Sequence, residues 1–175
     1  MREQSVTSRN SRGPLILGER FEFRENGSLM VDFDEKVIEF DPSSPNHLNR
    51  LERILKRRLL DELEPALAHY SGKLGVRFNR ITIRRQRTRW GSCSSDGNLN
   101  FNLRLVYLPL DLIRYIACHE VAHLKERNHG KAFWMLVGIE FANYKEMEKR
   151  LSEYGSLVQE TTSFHVLGKA SHLLP

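Results

Sequence analysis

The sequence contains little cysteine and no long apolar run. Its two cysteines, Cys93 and Cys118, have no paired spacing, so they do not form a disulfide framework. No apolar stretch approaches the roughly 18 residues of a membrane-spanning helix. Residues 1–14 are polar and do not resemble a secretory signal. These absences predict a protein of the reducing cytoplasm without a membrane partner.

The composition is otherwise typical of a globular protein. Charged residues make up 28% of the chain and hydrophobic residues 40%. The formal net charge of +5 gives a general attraction to anionic partners but says nothing about the fold. The length of 175 residues fits one domain. We expect a flexible tail over 1–14, a single domain over 15–155 and a loosely ordered tail over 156–175.

The first part of the predicted domain alternates in the manner of strands. Phe21 and Phe23 alternate with charged residues, and the pair Asn26-Gly27 is typical of a two-residue hairpin turn. Leu29, Val31 and Phe33 continue the alternation, and a further strand fits Val37 to Phe40. The pattern predicts a small antiparallel meander.

A long amphipathic helix is predicted next. Leu48, Leu51, Leu55, Leu59 and Leu63 recur every three or four residues and therefore share one helical face. Pro65 is expected to kink or restart this helix, and Gly72 and Gly75 are expected to end it.

Strands and then helices follow. Ile81 to Ile83 resembles a strand, and Asp96-Gly97 is a second hairpin signal before an alternating run over 98–105. An almost wholly apolar helix is predicted over 110–126, with Pro109 at its start. Shorter helices are predicted from about Gly130 to Val137 and from about Asn143 to Tyr154. The expected fold class is α+β, with small antiparallel sheets packed on a buried helix.

The apolar helix contains His119-Glu120-Val121-Ala122-His123, an H-E-x-x-H motif. Residues four apart lie one above the other on a helix, so two imidazoles can share a metal ion. Glu120 projects about 100° away around the helix, where a carboxylate can take a proton from water at the metal. Two histidines and a glutamate in an apolar helix would be costly to bury without such a partner.

A catalytic zinc requires a third protein ligand and an open position. His129, six residues after His123, is the best candidate, and its spacing matches the pattern H-E-x-x-H-x-x-G-x-x-H. That pattern has glycine where this chain has Glu126, so the tight reversal is unsupported by the sequence. Glu140 and Glu146 are rival ligands from the helices that follow. We expect a single Zn²⁺ ion.

Several motifs together resemble the YgjP-like metallopeptidase family. They are Arg87-Thr88-Arg89-Trp90-Gly91-Ser92-Cys93, Gly97-Asn98-Leu99, Asn102-Leu103-Arg104-Leu105, His119-Glu120-Val121-Ala122-His123-Leu124, Asn128-His129 and Phe133-Trp134. The resemblance implies a compact zincin-type domain with zinc on His119, His123 and His129 and with Glu120 as catalytic acid and base. Gly130 departs from the serine that relatives often carry, which affects only the expected helix cap.

A cluster of arginines precedes the second hairpin signal. In a strand, Arg85, Arg87 and Arg89 would share a face, where guanidinium groups can bind phosphate or carboxylate. A solvated sheet face is the alternative interpretation. The candidate substrate-binding set consists of these three arginines with Trp90 and Asn102.

Three functions fit these observations. The first is a peptidase, in which Glu120 deprotonates water and then protonates the leaving amine. The second is a hydrolase of nucleoside triphosphates, an activity described for some members of the family, with the arginines holding phosphates. The third is a non-enzymatic module in which the metal is structural and nucleic acid binds; the general basicity fits it, as does a distant likeness to SprT-like DNA-associated proteases. Expected substrates are therefore a peptide or a nucleotide.

Overall fold

The computed structural model describes residues 14–86 and 88–161, with side chains as far as Gly155. The elements, in chain order, are β1 (Leu15–Ile16), β2 (Glu19–Arg20), β3 (Glu22–Glu25), β4 (Met30–Asp32), β5 (Val37–Phe40), α1 (Pro45–Leu74), β6 (Arg80–Arg84), β7 (Gly91–Cys93), β8 (Asn98–Asn102), a 3₁₀ helix (Leu103–Tyr107), α2 (Leu110–Ala122), α3 (Lys131–Gly138) and α4 (Tyr144–Thr161). Arg87, the segment 1–13 and the segment 162–175 lie outside the described residues.

The N-terminal strands are not an antiparallel meander, which corrects the expectation from the sequence. β3 pairs with β5 in parallel, and β4 pairs with the other edge of β5 in antiparallel fashion. The tight turn lies between β4 and β5, where Asp32 Oδ1 accepts hydrogen bonds from the backbone N–H groups of Asp34 and Glu35. Because this turn places β4 on one edge of β5, β3 pairs with the other edge. Asn26-Gly27 therefore does not form a hairpin between β3 and β4 but begins the connection that crosses over from β3 to β4.

Helix α1 carries the predicted leucine face into the core. Ser44 caps its start by accepting a hydrogen bond from the backbone N–H of His47, and Gly75 ends it in the left-handed conformation at φ 60°. The buried hydrophobic side chains are Leu51, Leu55, Leu59, Leu63, Leu67, Tyr70 and Leu74. The helix runs on through Pro65 and does not restart there; this proline lies on the exposed face.

The second sheet has the order β6-β8-β7, again with one parallel and one antiparallel pair. The predicted hairpin at Asp96-Gly97 is confirmed, since it joins β7 to β8 with Gly97 at φ 72°. The expected strand does not reach residue 105, because a 3₁₀ helix begins at Leu103 with Asn102 as its cap. β7 lies at the edge of this sheet, next to α2.

Helix α2 packs against α1 and is buried along most of its length. It ends at Ala122 and not at residue 126, so the H-E-x-x-H motif occupies the last turn of the helix and not its middle. α4 extends to Thr161, beyond the expected end at Tyr154 and into the segment expected to be a loose tail. Within the described residues, no helix has the length and apolar character needed to cross a membrane.

The α+β fold class is confirmed. In the described part of the chain, three small sheets and four α-helices surround one hydrophobic core, to which all the larger elements contribute. The packing of α2 between α1 and the edge of the second sheet places the motif at the junction of these layers.

Candidate metal centre

Three histidines converge at the end of α2. Each of His119, His123 and His129 offers a ring nitrogen, and these atoms lie within 4.8 Å of one another. The Nε2 atoms of His119 and His129 are 3.0 Å apart. His119 and His123 come from the last turn and the cap of α2, and His129 comes from the loop immediately before α3. The convergence is typical of a three-imidazole metal site.

The hydrogen bond of His123 sets which of its nitrogens can bind a metal. Its Nδ1 lies 2.9 Å from the backbone carbonyl oxygen of Glu126. A carbonyl only accepts, so Nδ1 carries the proton and donates it, which leaves the lone pair of Nε2 free. A backbone oxygen thus orients the ring as partners of metal-binding histidines commonly do.

The loop reaches His129 without the glycine that the longer motif has at position 126. The backbone N–H groups of Lys125 and Glu126 both donate to the carbonyl of Ala122, which closes the turn. Glu126 has a negative φ, because the described non-glycine residues with positive φ are Leu17 and Lys36. The reversal therefore needs no left-handed residue at 126, and glutamate fits.

An aromatic ring supports all three imidazoles. The centroid of the buried Phe133 ring lies 4.8 Å from that of His119, 4.5 Å from that of His123 and 4.7 Å from that of His129. Trp134 lies beside this cluster and stacks on Tyr144 at 4.7 Å. Phe133-Trp134 therefore joins α3 and α4 to the site.

Burial keeps the imidazoles in the state that binds metals. It lowers the pKa of His119 to about 3, with the charges of His123 and His129 acting in the same direction. Burial also lowers the pKa of His123, although the hydrogen bond to Glu126 opposes the change. Metal ligation requires neutral imidazole, so the environment favours it.

The carboxylate of Glu120 lies buried beside the cluster. The residue is only 5% exposed, and its Oε2 has no hydrogen-bond partner within the described residues. Burial raises its pKa to about 8, and the charge of Arg89 partly offsets this. Burying a carboxylate oxygen without a hydrogen-bond partner costs free energy. This indicates that Oε2 of Glu120 interacts with a ligand or water molecule and not with another group of the protein.

Gly91 of β7 packs directly against this carboxylate. A Cβ at position 91 would lie 2.6 Å from Oε1 of Glu120 and 2.8 Å from its Cγ. In the sequence, Gly91 is notable only as part of the motif that resembles the family. Its contact with Glu120 follows from the packing of α2 on the edge strand, which the sequence does not show.

A cavity of about 590 Å³ opens beside His119 and Glu120. Its walls come from the loop before β7, from α2 and from α4, and they combine apolar and charged groups. The lining residues are Thr88, Arg89, Trp90, Gly91, Tyr115, Ile116, His119, Glu120, Glu148, Leu151, Ser152 and Gly155. The cavity is large enough for a side chain or a small ligand.

The predicted arginine face does not form. Residues 85–86 and 88–90 are not in a strand, so the side chains of Arg85 and Arg89 are not placed on one strand face. Arg85 pairs with Glu52 of α1, whereas Arg89 and Trp90 line the cavity. Arg87 lies outside the described residues.

Asn102 is not exposed to a substrate. It is 1% exposed, and its Nδ2 donates to the backbone carbonyls of Gln86 and Arg89 at 2.9 and 2.8 Å. Its Oδ1 accepts from the backbone N–H of Arg104, and its own N–H donates to the carbonyl of Trp90. Asn102 therefore fixes the loop that carries Arg89 and Trp90, which the residue type and its place at the end of a strand could have suggested.

The rival third ligands point elsewhere. The carboxylate of Glu140 pairs with Lys73 and His69, both at the end of α1. Glu146 is exposed in the first turn of α4. Among the described residues, the group brought together is the three histidines.

Comparison with known proteins identifies a family for the chain. The model of the YgjP-like metallopeptidase domain matches residues 5–154. Similar solved structures include the metallopeptidase zymogen abylysin of Pyrococcus abyssi (28% identity, TM-score 0.49, covering 53% of this chain and 93% of that one) and the metallopeptidase zymogen jannalysin of Methanocaldococcus jannaschii (22% identity, TM-score 0.48, covering 53% and 95%). No curated protein matches the chain. The family match spans most of the chain, and the chain therefore belongs to the YgjP-like metallopeptidase family of metal-dependent hydrolases.

Proposed function

We propose that this protein is a zinc peptidase in which His119, His123 and His129 hold one zinc ion and Glu120 is the general base. The observation that carries the proposal is the convergence of three imidazole nitrogens within 4.8 Å beside a buried carboxylate. The family match supports the peptidase class.

The donor set fits zinc. Three neutral imidazoles leave one corner of a tetrahedron open, which is the arrangement of catalytic zinc sites. Nδ1 of His123 is occupied by the carbonyl of Glu126, so Nε2 is the free donor. His129 is exposed, and the site is therefore reachable from solvent on that side. A structural zinc would need a fourth protein ligand, usually cysteine, and the group that converges contains none.

The proposed reaction assigns Lewis-acid chemistry to the zinc ion and proton transfer to Glu120. When bound, zinc supplies a Lewis acid that polarises a carbonyl and acidifies water. The positive charge of bound zinc would favour the ionised form of Glu120 against the effect of burial. In that form Glu120 takes a proton from the attacking water at its unpartnered carboxylate oxygen. It then gives that proton to the amide nitrogen as the C–N bond breaks. Ile116 and Leu151 give the adjoining cavity apolar walls.

The edge position of β7 favours a peptide substrate. β7 pairs only with β8 within the described sheet, so its outer edge is available to an extended chain. Gly91 on this strand touches the proposed base. A peptide added along β7 would therefore run past Glu120, and its side chains would reach the adjoining cavity.

The test compares substrates and variants on the same zinc-loaded protein. Labelled casein and a panel of nucleoside triphosphates are offered side by side to wild type, Glu120→Gln and His129→Ala. We expect casein cleavage by wild type only, with zinc retained by Glu120→Gln and lost by His129→Ala. His69→Ala removes an exposed histidine outside the cluster and should keep both zinc and activity. Equal casein cleavage by wild type and Glu120→Gln would refute the catalytic assignment.

Nucleotide hydrolysis receives less support from the geometry. Arg85 is engaged with Glu52, and among the described arginines Arg89 lines the cavity. One guanidinium is a poor substitute for the several cations that triphosphates require. Hydrolysis of nucleotides without cleavage of casein would instead favour this second activity.

A further inference from the structure

A second cleft lies on the exposed side of α1, away from the histidines. It has a volume of about 420 Å³ and is lined by Phe33, Arg50, Arg53, Ile54, Arg57, Arg58 and Asp61. None of these residues lines the cavity beside the metal centre. Four guanidinium groups and one carboxylate therefore line one space, so the cleft carries a net positive charge.

The arginines follow a single stripe of the helix. Arg50, Arg53 and Arg57 are spaced by three and four residues, so they lie on one face, beside the buried leucines. At about 1.5 Å per residue the stripe extends about 10 Å. The stripe is therefore longer than a single phosphate needs.

Two of these arginines are not neutralised by the protein. Arg57 pairs with Asp61 at 3.0 Å, and Arg58 pairs with Glu62. Within the described residues, neither Arg50 nor Arg53 takes part in an ion pair. Both are exposed on the helix. Uncompensated like charges around a common space repel, and an anionic ligand would relieve that repulsion.

The other wall of the cleft is aromatic. Phe33, in the turn between β4 and β5, is half-buried; it packs edge-on against Phe21 at 5.8 Å. The guanidinium of Arg58 lies 5.7 Å from the Phe33 ring centroid. A basic groove with an aromatic side chain is the combination that binds single strands, through phosphates and base stacking.

We propose that this cleft binds single-stranded nucleic acid through its phosphates, with Arg50 and Arg53 as the principal contacts. The site is independent of the metal centre and of the peptidase reaction proposed above. It gives the protein a means of being held at nucleic acid while its active site stays free.

The test measures the anisotropy of a labelled oligothymidylate of about 20 nucleotides titrated with the full chain. Arg50→Gln/Arg53→Gln should weaken binding by roughly tenfold at low salt. It should also reduce the slope of log K against log salt by about 0.7 for each phosphate that the variant no longer neutralises. The matched control is Arg77→Gln/Arg80→Gln, which removes the same charge from exposed positions outside the cleft.

Three results would overturn the proposal that the cleft binds single-stranded nucleic acid. Equal weakening by the two double variants would overturn the proposal, because net charge alone would then explain binding. Absence of measurable binding by wild type would overturn it as well. Competition by polyglutamate at concentrations as low as those of unlabelled oligonucleotide would also overturn it, since it would indicate an acidic polypeptide partner. Unchanged binding by Glu120→Gln is expected, and circular dichroism verifies that each variant is folded.

Discussion

At the scale of single residues, the position of the Glu120 carboxylate depends on Gly91, a neighbour without a side chain. Glu120 is held between the core of α2 and the backbone of Gly91, and its Oε2 is left without a partner among the described residues. A glycine here is required for close approach and not for its backbone angle, since its φ is not positive. Even a small side chain at position 91 should therefore displace the Glu120 carboxylate.

Gly91→Ala is expected to displace the Glu120 carboxylate. The new Cβ would meet Oε1 at 2.6 Å and Cγ at 2.8 Å, so the whole end of the side chain must move. A displacement of about 1 Å can cost roughly a hundredfold in rate, so we expect casein cleavage to fall by tenfold or more with zinc content unchanged. Gly138→Ala, where a Cβ meets nothing within 4 Å, is the control and should keep wild-type activity.

Asn102→Ala should loosen the loop that carries Arg89 and Trp90. The change removes hydrogen bonds to the carbonyls of Gln86 and Arg89 and leaves these groups unsatisfied. We expect a loss of about 1–3 kcal/mol in unfolding free energy, measured by urea denaturation, together with a fall in activity. Asn100→Ala, on the same strand but half-buried, should cost much less. Equal losses from both substitutions would contradict the positioning role.

At the scale of elements, the proposed metal centre is assembled from the ends of helices. The last turn and cap of α2 provide two imidazoles, and the loop before α3 provides the third. The end of α1 is tied to the end of α3 through Glu140, which pairs with Lys73 and His69. This contact connects the long scaffold helix with the region that holds His129.

Glu140→Gln is expected to destabilise the protein in a pH-dependent way. The pKa of Glu140 is lowered in the folded protein, mainly by its hydrogen bond to Lys73 and also by that to His69. Its contribution is complete above the ordinary value of 4.5 and disappears as the pH falls through the lowered value. Lys73 is half exposed, so screening limits the effect to about 1 kcal/mol.

The measurement is urea denaturation at neutral pH and at a pH well below that of ordinary carboxylates. The difference between Glu140→Gln and wild type should be present in the first condition and absent in the second. Glu64→Gln, an exposed carboxylate of α1 for which no ion pair is formed within the described residues, should change little in either. A difference that persists in acid would show that the pair is not responsible.

At the scale of the whole molecule, none of the three proposed metal ligands belongs to the hydrophobic core. Buried residues from β1, β5, α1, β8, α2, α3 and α4 form one hydrophobic cluster. Removing the proposed zinc with a chelator should lower the melting temperature, because a ligand that binds only the folded state stabilises it. The far-ultraviolet circular dichroism should remain that of the folded protein. Complete unfolding on chelation would show that the metal is needed for the fold.

Sequence reasoning was most accurate where a signal is local. The leucine spacing of α1, the Asp96-Gly97 hairpin and the H-E-x-x-H helix each depend on neighbours a few residues apart. The strand pairing around β5 was predicted wrongly, because the partner of β3 depends on which edge the β4–β5 turn leaves open. The predicted strand face of Arg85 and Arg89 was wrong because Asn102 holds the backbone carbonyls of Gln86 and Arg89 in a loop, and not in a ladder of strand hydrogen bonds.

The sequence by itself determined the candidate chemistry, because two histidines four residues apart and the glutamate between them are placed by the helical repeat alone. Only the tertiary structure brought His129 to them and turned Glu140 away, since a loop's path depends on what it packs against. The contact of Gly91 with Glu120 and the arginine cleft against Phe33 likewise join segments far apart in the chain. Such contacts arise from packing between elements, which no local periodicity encodes.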